Sequence, residues 1–425
     1  MKWWKTLVMT AALITTAGSL AACGHEKKNA NGKIEIEFFN QKKEMSGTLT
    51  KIAKNFEKEN PNIKVNVVSV PDAGNVLKTR VLAGDIPDVV NIFPQNIDFQ
   101  EWAKAGYFAD MTDQDYLHNL KDGYPEQFAI NGKVYNAPLT SNSYGFYYNA
   151  TVFEELGLTP PKTWTEFEQL KQEIIAKGKI PFALAGTEGW TLNGYHQLAW
   201  ATVTGGFKQA NAVLRFSKPN YLTLDNPDMQ RDIRRLDLLR GKGAAQKNWE
   251  GAGYNDAITA FANGTSLMMA NGSWALAAVK QQEPSFKIRT FAFPGDKPGE
   301  SMAVGSADLA LSIAEDIDDA HKAAANKFVA YMTTKEAMQP YYDVDGSPCA
   351  VKGVEQEGKI PELEGITSLT FTEHQMIWLQ KEWLSENDFH QLTADYILDG
   401  NKKALVENLN AFFNPMKADV KDQEE

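Results

Sequence analysis

Two cysteines in 425 residues leave little room for thiol chemistry, and the first of them stands in a telling place. Cys23 closes the run Leu20-Ala21-Ala22-Cys23, a small-residue pattern that bacterial lipoprotein signal peptidase cuts before the cysteine. The thiol would then carry a thioether lipid. Lys2 and Lys5 lie upstream with no acid between them, and residues 6–22 are apolar or small, which is the charged start and short apolar core of an export signal. That run is short for a membrane span. An ordinary secretory signal with an incidental cysteine is the competing reading. The small residue, the cysteine and the polar run that follows favour residues 1–22 as a lipoprotein signal and 23–32 as a lipidated tether, whose end-to-end distance would be roughly 18 Å.

Other reactive constellations are missing. The chain has no G-x-S-x-G, H-E-x-x-H, phosphate-binding loop or G-x-G-x-x-G, and "GKGAAQ" has the wrong spacing for the last of these. Its six histidines show no metal-ligand spacing, so neither metal nor cofactor is expected. A glycosidase needs only two carboxylates, and 54 acidic residues leave that reading open. Cleavage of the signal would take the formal charge of −11 two units further negative. Such a surface argues against nucleic acid as a partner and is compatible with a neutral or cationic ligand. With Cys23 lipidated, Cys349 is the only thiol left and no internal disulfide can form. Stability must come from a core, for which 43% hydrophobic residues are ample.

The elements that must position any site are legible. Ile34, Ile36 and Phe38 alternate with Glu35 and Glu37 as a strand. Leu49, Ile52, Ala53 and Phe56 form one helical stripe that Asn60-Pro61 stops. A strand over Ile63, Val65 and Val67, a helix from Val76 to Leu82 and a buried strand in "IPDVVNIF" follow. This alternation predicts βαβ units on a parallel sheet, with ligand sites beyond the carboxyl ends of the strands. That directs attention to "FNQKKE" (39–44) and "FPQN" (93–96). Further on, a strand from Tyr144 to Tyr148, a helix from Trp164, a helix through Ala260 and a strand over 267–269 are predicted.

Five segments in order, "NFEKENPNIKV", "RVLAGDIPDVV", "YGFYYN", "PKTWTEF" and "AFANGTSLMMANGSW", resemble family 1 extracellular solute-binding proteins, the sugar receptors of bacterial ABC importers. The resemblance runs from about Lys33 to the end and is closest to multiple-sugar receptors of Gram-positive bacteria. It implies an α/β, two-lobe periplasmic-binding-protein fold (type II), each lobe a mostly parallel sheet flanked by helices and joined by a hinge. It places lobe 1 at 33–142 and 307–350, and lobe 2 at 143–306 and 351–425. It further implies a monomer held by its lipid on the outer face of the cytoplasmic membrane. There it would bind a sugar, with an oligosaccharide favoured, and deliver it to ABC permease subunits. A receptor for a non-sugar solute is the nearest alternative, and a glycoside-acting enzyme a more distant one.

A neutral sugar needs aromatic plates for its C–H face and fixed polar groups for its hydroxyl rim. The resemblance places Trp274, in "NGSW", as a stacking plate, Tyr195 with its neighbour His196 as a second, and Trp190 as a loop plate; ordinary packing competes for each. It puts Asn40, Gln41, Lys42 and Lys43 in the first ligand loop and Gln95 and Asn96 in the second. Asn142 falls where some relatives carry a ligand-binding acid, a departure that counts against maltose as the ligand. Asp308, Ser347 and His390 complete the expected contacts.

Overall fold

The structure, a computed structural model, describes residues 32–71, 73–384 and 387–417. The signal, Cys23 and nearly all of the tether lie outside the described residues. Within them run β1 (Ile34–Phe39), β2 (Ile63–Val68), β3 (Val89–Ile92), β4 (Ala137–Pro138), β5 (Tyr144–Asn149), β6 (Ile180–Phe182), β7 (Ser266–Gly272), β8 (Ile288–Phe291), β9 (Ala303–Val304), β10 (Ala310–Ile313) and β11 (Gln375–Met376). They form two sheets, ordered β2-β1-β3-β10-β4 and β11-β9-β5-β7-β6, with β8 paired to β5.

In the first sheet β1 runs parallel to β2 along its whole length, Ile34 opposite Ile63 and Phe39 opposite Val68, and parallel to β3. The connecting helices make this possible, because parallel neighbours need a crossover. The helix Ser46–Glu59 buries the stripe Leu49, Ile52, Ala53 and Phe56. Each of its large apolar side chains contributes about 1.5–3 kcal/mol by leaving water. Phe56 and Phe38 both pack on Phe328 of the helix Asp319–Met332, with ring centroids 5.3 and 5.5 Å apart. β10 then pairs antiparallel with β3 and β4, having arrived from the other sheet.

The second sheet is mixed at its centre, where a mostly parallel sheet was expected. β5 runs antiparallel to β7, β8 and β9, while β6 with β7 and β11 with β9 are parallel. β5 enters directly from the first sheet and not through a helical crossover of its own, so no parallel partner is imposed on it. Behind it Phe146 stacks on Phe291 and meets Phe167 edge-on, and Trp164 stacks on Phe293.

Three stretches link the sheets: 139–143, 305–309 and 346–351. They lie side by side, with Ser141 bridged to Ala307 and Thr140 to Cys349. Gly305 is obligatory at this seam, since a Cβ there would fall 2.0 Å from the Asn142 carbonyl oxygen. Cys349 is fully buried, and burial pushes its thiol up to about 12. No helix among the described residues is long and apolar enough to cross a membrane.

Candidate functional site

Topology gathers the site. β1 and β3 end at the 40–43 and 93–96 loops, and antiparallel β10 begins beside them at Asp308. In the second sheet β6 and β7 are parallel, so the loops carrying Trp190 and Trp274 leave by the same edge. β5 runs the other way and brings Tyr144 there, opposite Gly272.

On the second-sheet side the aromatic group is built around Tyr144. Its hydroxyl donates to the Thr191 carbonyl at 2.7 Å, fixing the Trp190 loop. Its ring centroid lies 6.2 Å from that of Trp274 and 6.3 Å from that of Trp378. Trp274 is half-buried and lies over Gly272, whose lack of a side chain makes room for the indole. Trp190 is 41% exposed. Its indole N–H donates to Glu188 at 3.0 Å, the other Glu188 oxygen accepts from the Tyr254 N–H, and the Trp190 and Tyr254 rings sit 5.1 Å apart. The backbone of His390 packs on Gly189, which brings its half-buried ring beside this loop.

On the first-sheet side Gln41, Asn75, Asn96 and Trp102 border a cavity of about 330 Å³. Gln41 is anchored by donation to the Asn91 carbonyl at 2.7 Å. Gln95, the chain neighbour of Asn96, is buried, and its Oε1 has no hydrogen-bond partner among the described residues. Lys43 is exposed at the start of a short 3₁₀ turn, Lys43–Met45.

Several expected contacts have other work. Asn40 is fully buried and closes a turn: its amide donates to the Lys42 carbonyl and to Ser69, and its oxygen accepts from the Lys42 N–H. Lys42 is buried against Asp308 and Asp345, with Asp345 at 3.1 Å. Burial opposes its charge, but the two carboxylates prevail and hold its pKa well above the ordinary lysine value. Lys42 and Asp308 therefore spend their polar atoms within the protein, since a buried charge must be paired. Asn142 exchanges hydrogen bonds with Ser306 across the seam, both at 2.9 Å. Ser347 lies 3.2 Å from Ser273, tying the third crossing to the turn before Trp274.

Tyr195 and His196 are corrected outright. Both are fully buried on the helix Asn193–Thr204. Tyr195 packs edge-on against Phe146 and Phe293 and donates its hydroxyl to the Arg235 carbonyl at 2.5 Å. His196 sits between Thr393 and Asp232, at 2.7 and 3.1 Å. The sequence carried the signal: "NGYHQLAWATVT" has no charged residue, and a helix without a polar face is buried all round. Asn75 was missed because the rule of strand carboxyl ends was applied to β1 and β3 but not to β2, whose following helix, Ala73–Leu82, starts at the same edge; Trp102 was missed because it lies in the helix Ile97–Lys104, beyond the loop after β3.

Two sheets with polar loops on one side of the intervening edge and aromatic rings on the other define a ligand receptor. The family model for bacterial extracellular solute-binding proteins matches residues 51–367. A multiple sugar-binding protein of Streptococcus mutans serotype c is 56% identical over 422 residues, covering 99% of this chain and 100% of the relative. The apo form of RafE from Streptococcus pneumoniae, at 58% identity, superposes with a TM-score of 0.86 over 91% of this chain and 98% of that one. RafE in complex with raffinose gives the same TM-score and identity, over 91% of this chain and all of that one. The chain belongs to the bacterial extracellular solute-binding proteins.

Proposed function

We propose that this protein captures a neutral oligosaccharide of the raffinose type between its two lobes and delivers it to the membrane subunits of an ABC permease. The observation that carries this reading is the Trp274 ring, backed by Gly272 and flanked by Tyr144, on the edge that faces the hinge. An aromatic face of this kind suits the C–H face of a sugar, and Gln41, Gln95 and Asn96 supply amide groups for its hydroxyls. The 56% identity with a multiple sugar-binding protein and the 58% identity with RafE support it. Lobe 1 then comprises 33–142 and 307–350, and lobe 2 comprises 143–306 and 351–425. The protein acts as a receptor and leaves its ligand chemically unchanged. Cys23 carries the lipid that keeps it, as a monomer, on the outer face of the cytoplasmic membrane.

Calorimetric titration of the mature chain with raffinose, stachyose and melibiose tests the reading. One-to-one saturable binding, nearly independent of salt because a neutral ligand displaces few counterions, is expected, with the sugar recovered intact. Failure of all three to bind, or their cleavage, would refute it.

A further inference from the structure

A chain of buried contacts joins the two halves of the site through the hinge. On the first-sheet side the 40–43 loop is stiffened at its own turn: the Lys42 N–H donates to Asn40, and the Asn40 amide donates back to the Lys42 carbonyl, so Gln41 is carried between two fixed residues. The Lys42 ammonium reaches Asp308 in the second crossing. At 3.1 Å it also meets Asp345, the last residue of the helix Lys335–Asp345 that feeds the third crossing. The other Asp345 oxygen accepts from the Ser347 N–H at 3.2 Å. From there the chain passes to the second sheet, because Ser347 Oγ lies 3.2 Å from Ser273 Oγ and Ser273 immediately precedes Trp274. Ser273 is clamped in turn to the end of the first crossing. Its N–H donates to the Ser143 carbonyl at 2.7 Å, and its hydroxyl accepts from the Ser143 N–H at 3.3 Å.

Two features make this chain stiff. Ser273 and Ser347 are each 1% exposed, so neither a sugar nor bulk water can replace the contact between their hydroxyls. Asp345 is shared: one oxygen serves the ligand loop and the other serves the third crossing. A carboxylate in that position cannot swing towards either side without leaving a buried charge short of a partner.

The relation between Gln41 and Trp274 is thus set by contacts made within the protein. Resting on the reading that a sugar binds between the lobes, we infer that Asp345, Ser347 and Ser273 are positioning residues of the receptor. They hold the 40–43 loop and the Trp274 ring in the one relation that a single ligand can bridge. Loosening any of them spreads the two halves over other relations, of which only a fraction bind, and the apparent affinity falls by that fraction.

The test labels the mature chain with 5-fluorotryptophan. It reads the Trp274 fluorine resonance, identified by its loss in Trp274→Phe, alongside raffinose affinity by calorimetric titration. Ser347→Ala, Ser273→Ala, the two together, and Asp345→Asn are compared. Asparagine has one oxygen and no negative charge, so it cannot serve Lys42 and Ser347 with separate oxygens as the carboxylate does. Each single variant should weaken raffinose binding about 3–10-fold. The double serine variant should bind no worse than the weaker of its two parents, because both changes break one chain. Without sugar, Asp345→Asn should already shift or broaden the Trp274 resonance and leave that of Trp164, in the second-sheet core, in place. A residue that merely supported its own side of the hinge would not move the Trp274 signal. The inference is overturned by affinities within about 2-fold of the unmutated protein in Ser347→Ala and Asp345→Asn, by serine losses that add, or by a Trp274 resonance that Asp345→Asn leaves unmoved. Asp345→Asn preserves size and carries the test should a serine variant fail to fold. The fluorine measurement needs no sugar, so failure of raffinose to bind the unmutated chain would count against the proposed function alone.

Discussion

The indole of Trp274 occupies the space that a side chain at Gly272 would fill: a Cβ built there falls 2.0 Å from the ring. Gly272→Ala must therefore push the plate aside without altering any polar group of the cleft. Raffinose affinity should fall by roughly 1–3 kcal/mol in calorimetric titration. Unchanged affinity would place Trp274 outside the ligand contact.

Removing the plate itself should have a similar effect. Trp274→Ala should weaken raffinose binding by roughly 1–3 kcal/mol, and Trp274→Phe should keep much of it. If Trp274 served the core alone, the alanine variant would lose roughly 3–5 kcal/mol of stability and still bind normally when folded. Thermal melts and titrations on the same samples separate these cases.

Lys42 answers to two carboxylates, so losing it leaves Asp308 and Asp345 buried together. Lys42→Met should destabilise the fold by roughly 3–5 kcal/mol in denaturant titration. The pH dependence follows from the raised pKa: the contribution is fully present below the ordinary lysine value of 10.5 and is lost as pH rises through the higher folded value. Comparing wild type with Lys42→Met, the stability gap should be flat from pH 7 to about 10 and shrink above it. A gap that narrows already near neutrality would contradict this.

Tyr195→Phe deletes the hydroxyl that donates to Arg235 and nothing that reaches the cleft. It should cost about 1 kcal/mol of stability and leave raffinose affinity unchanged. A tenfold loss of affinity in a normally folded variant would return Tyr195 to the ligand.

Cys23→Ala should give a folded protein that is released from the membrane. Fractionation that still finds the variant with the membrane would refute the lipid anchor.

The elements were legible where the pattern was local. The period-two alternation at Ile34, Ile36 and Phe38 became β1, and the stripe from Leu49 to Phe56 became a helix with those residues inward. What was not legible was long-range. Nothing near Lys42 shows that carboxylates 266 and 303 positions away will converge on it, so it read as a contact of the first ligand loop. The antiparallel setting of β5 depends on the chain entering the second sheet from the first, which no window of sequence displays. Loop residues such as Gln41, Asn96 and Trp190 came to the expected edge because strand direction alone puts them there.

The burial of Cys349 has a practical consequence. Its sulfur faces the Leu139 carbonyl at 3.4 Å, and its thiol is held in the unreactive protonated form at neutral pH. The folded domain is thus a silent background for thiol-directed labels. Cysteines introduced at exposed positions in either lobe, Lys43 and Leu398 for example, would take spin labels without competition from it. The distance distribution between such labels would turn the opening and closing of the receptor into a directly measured quantity.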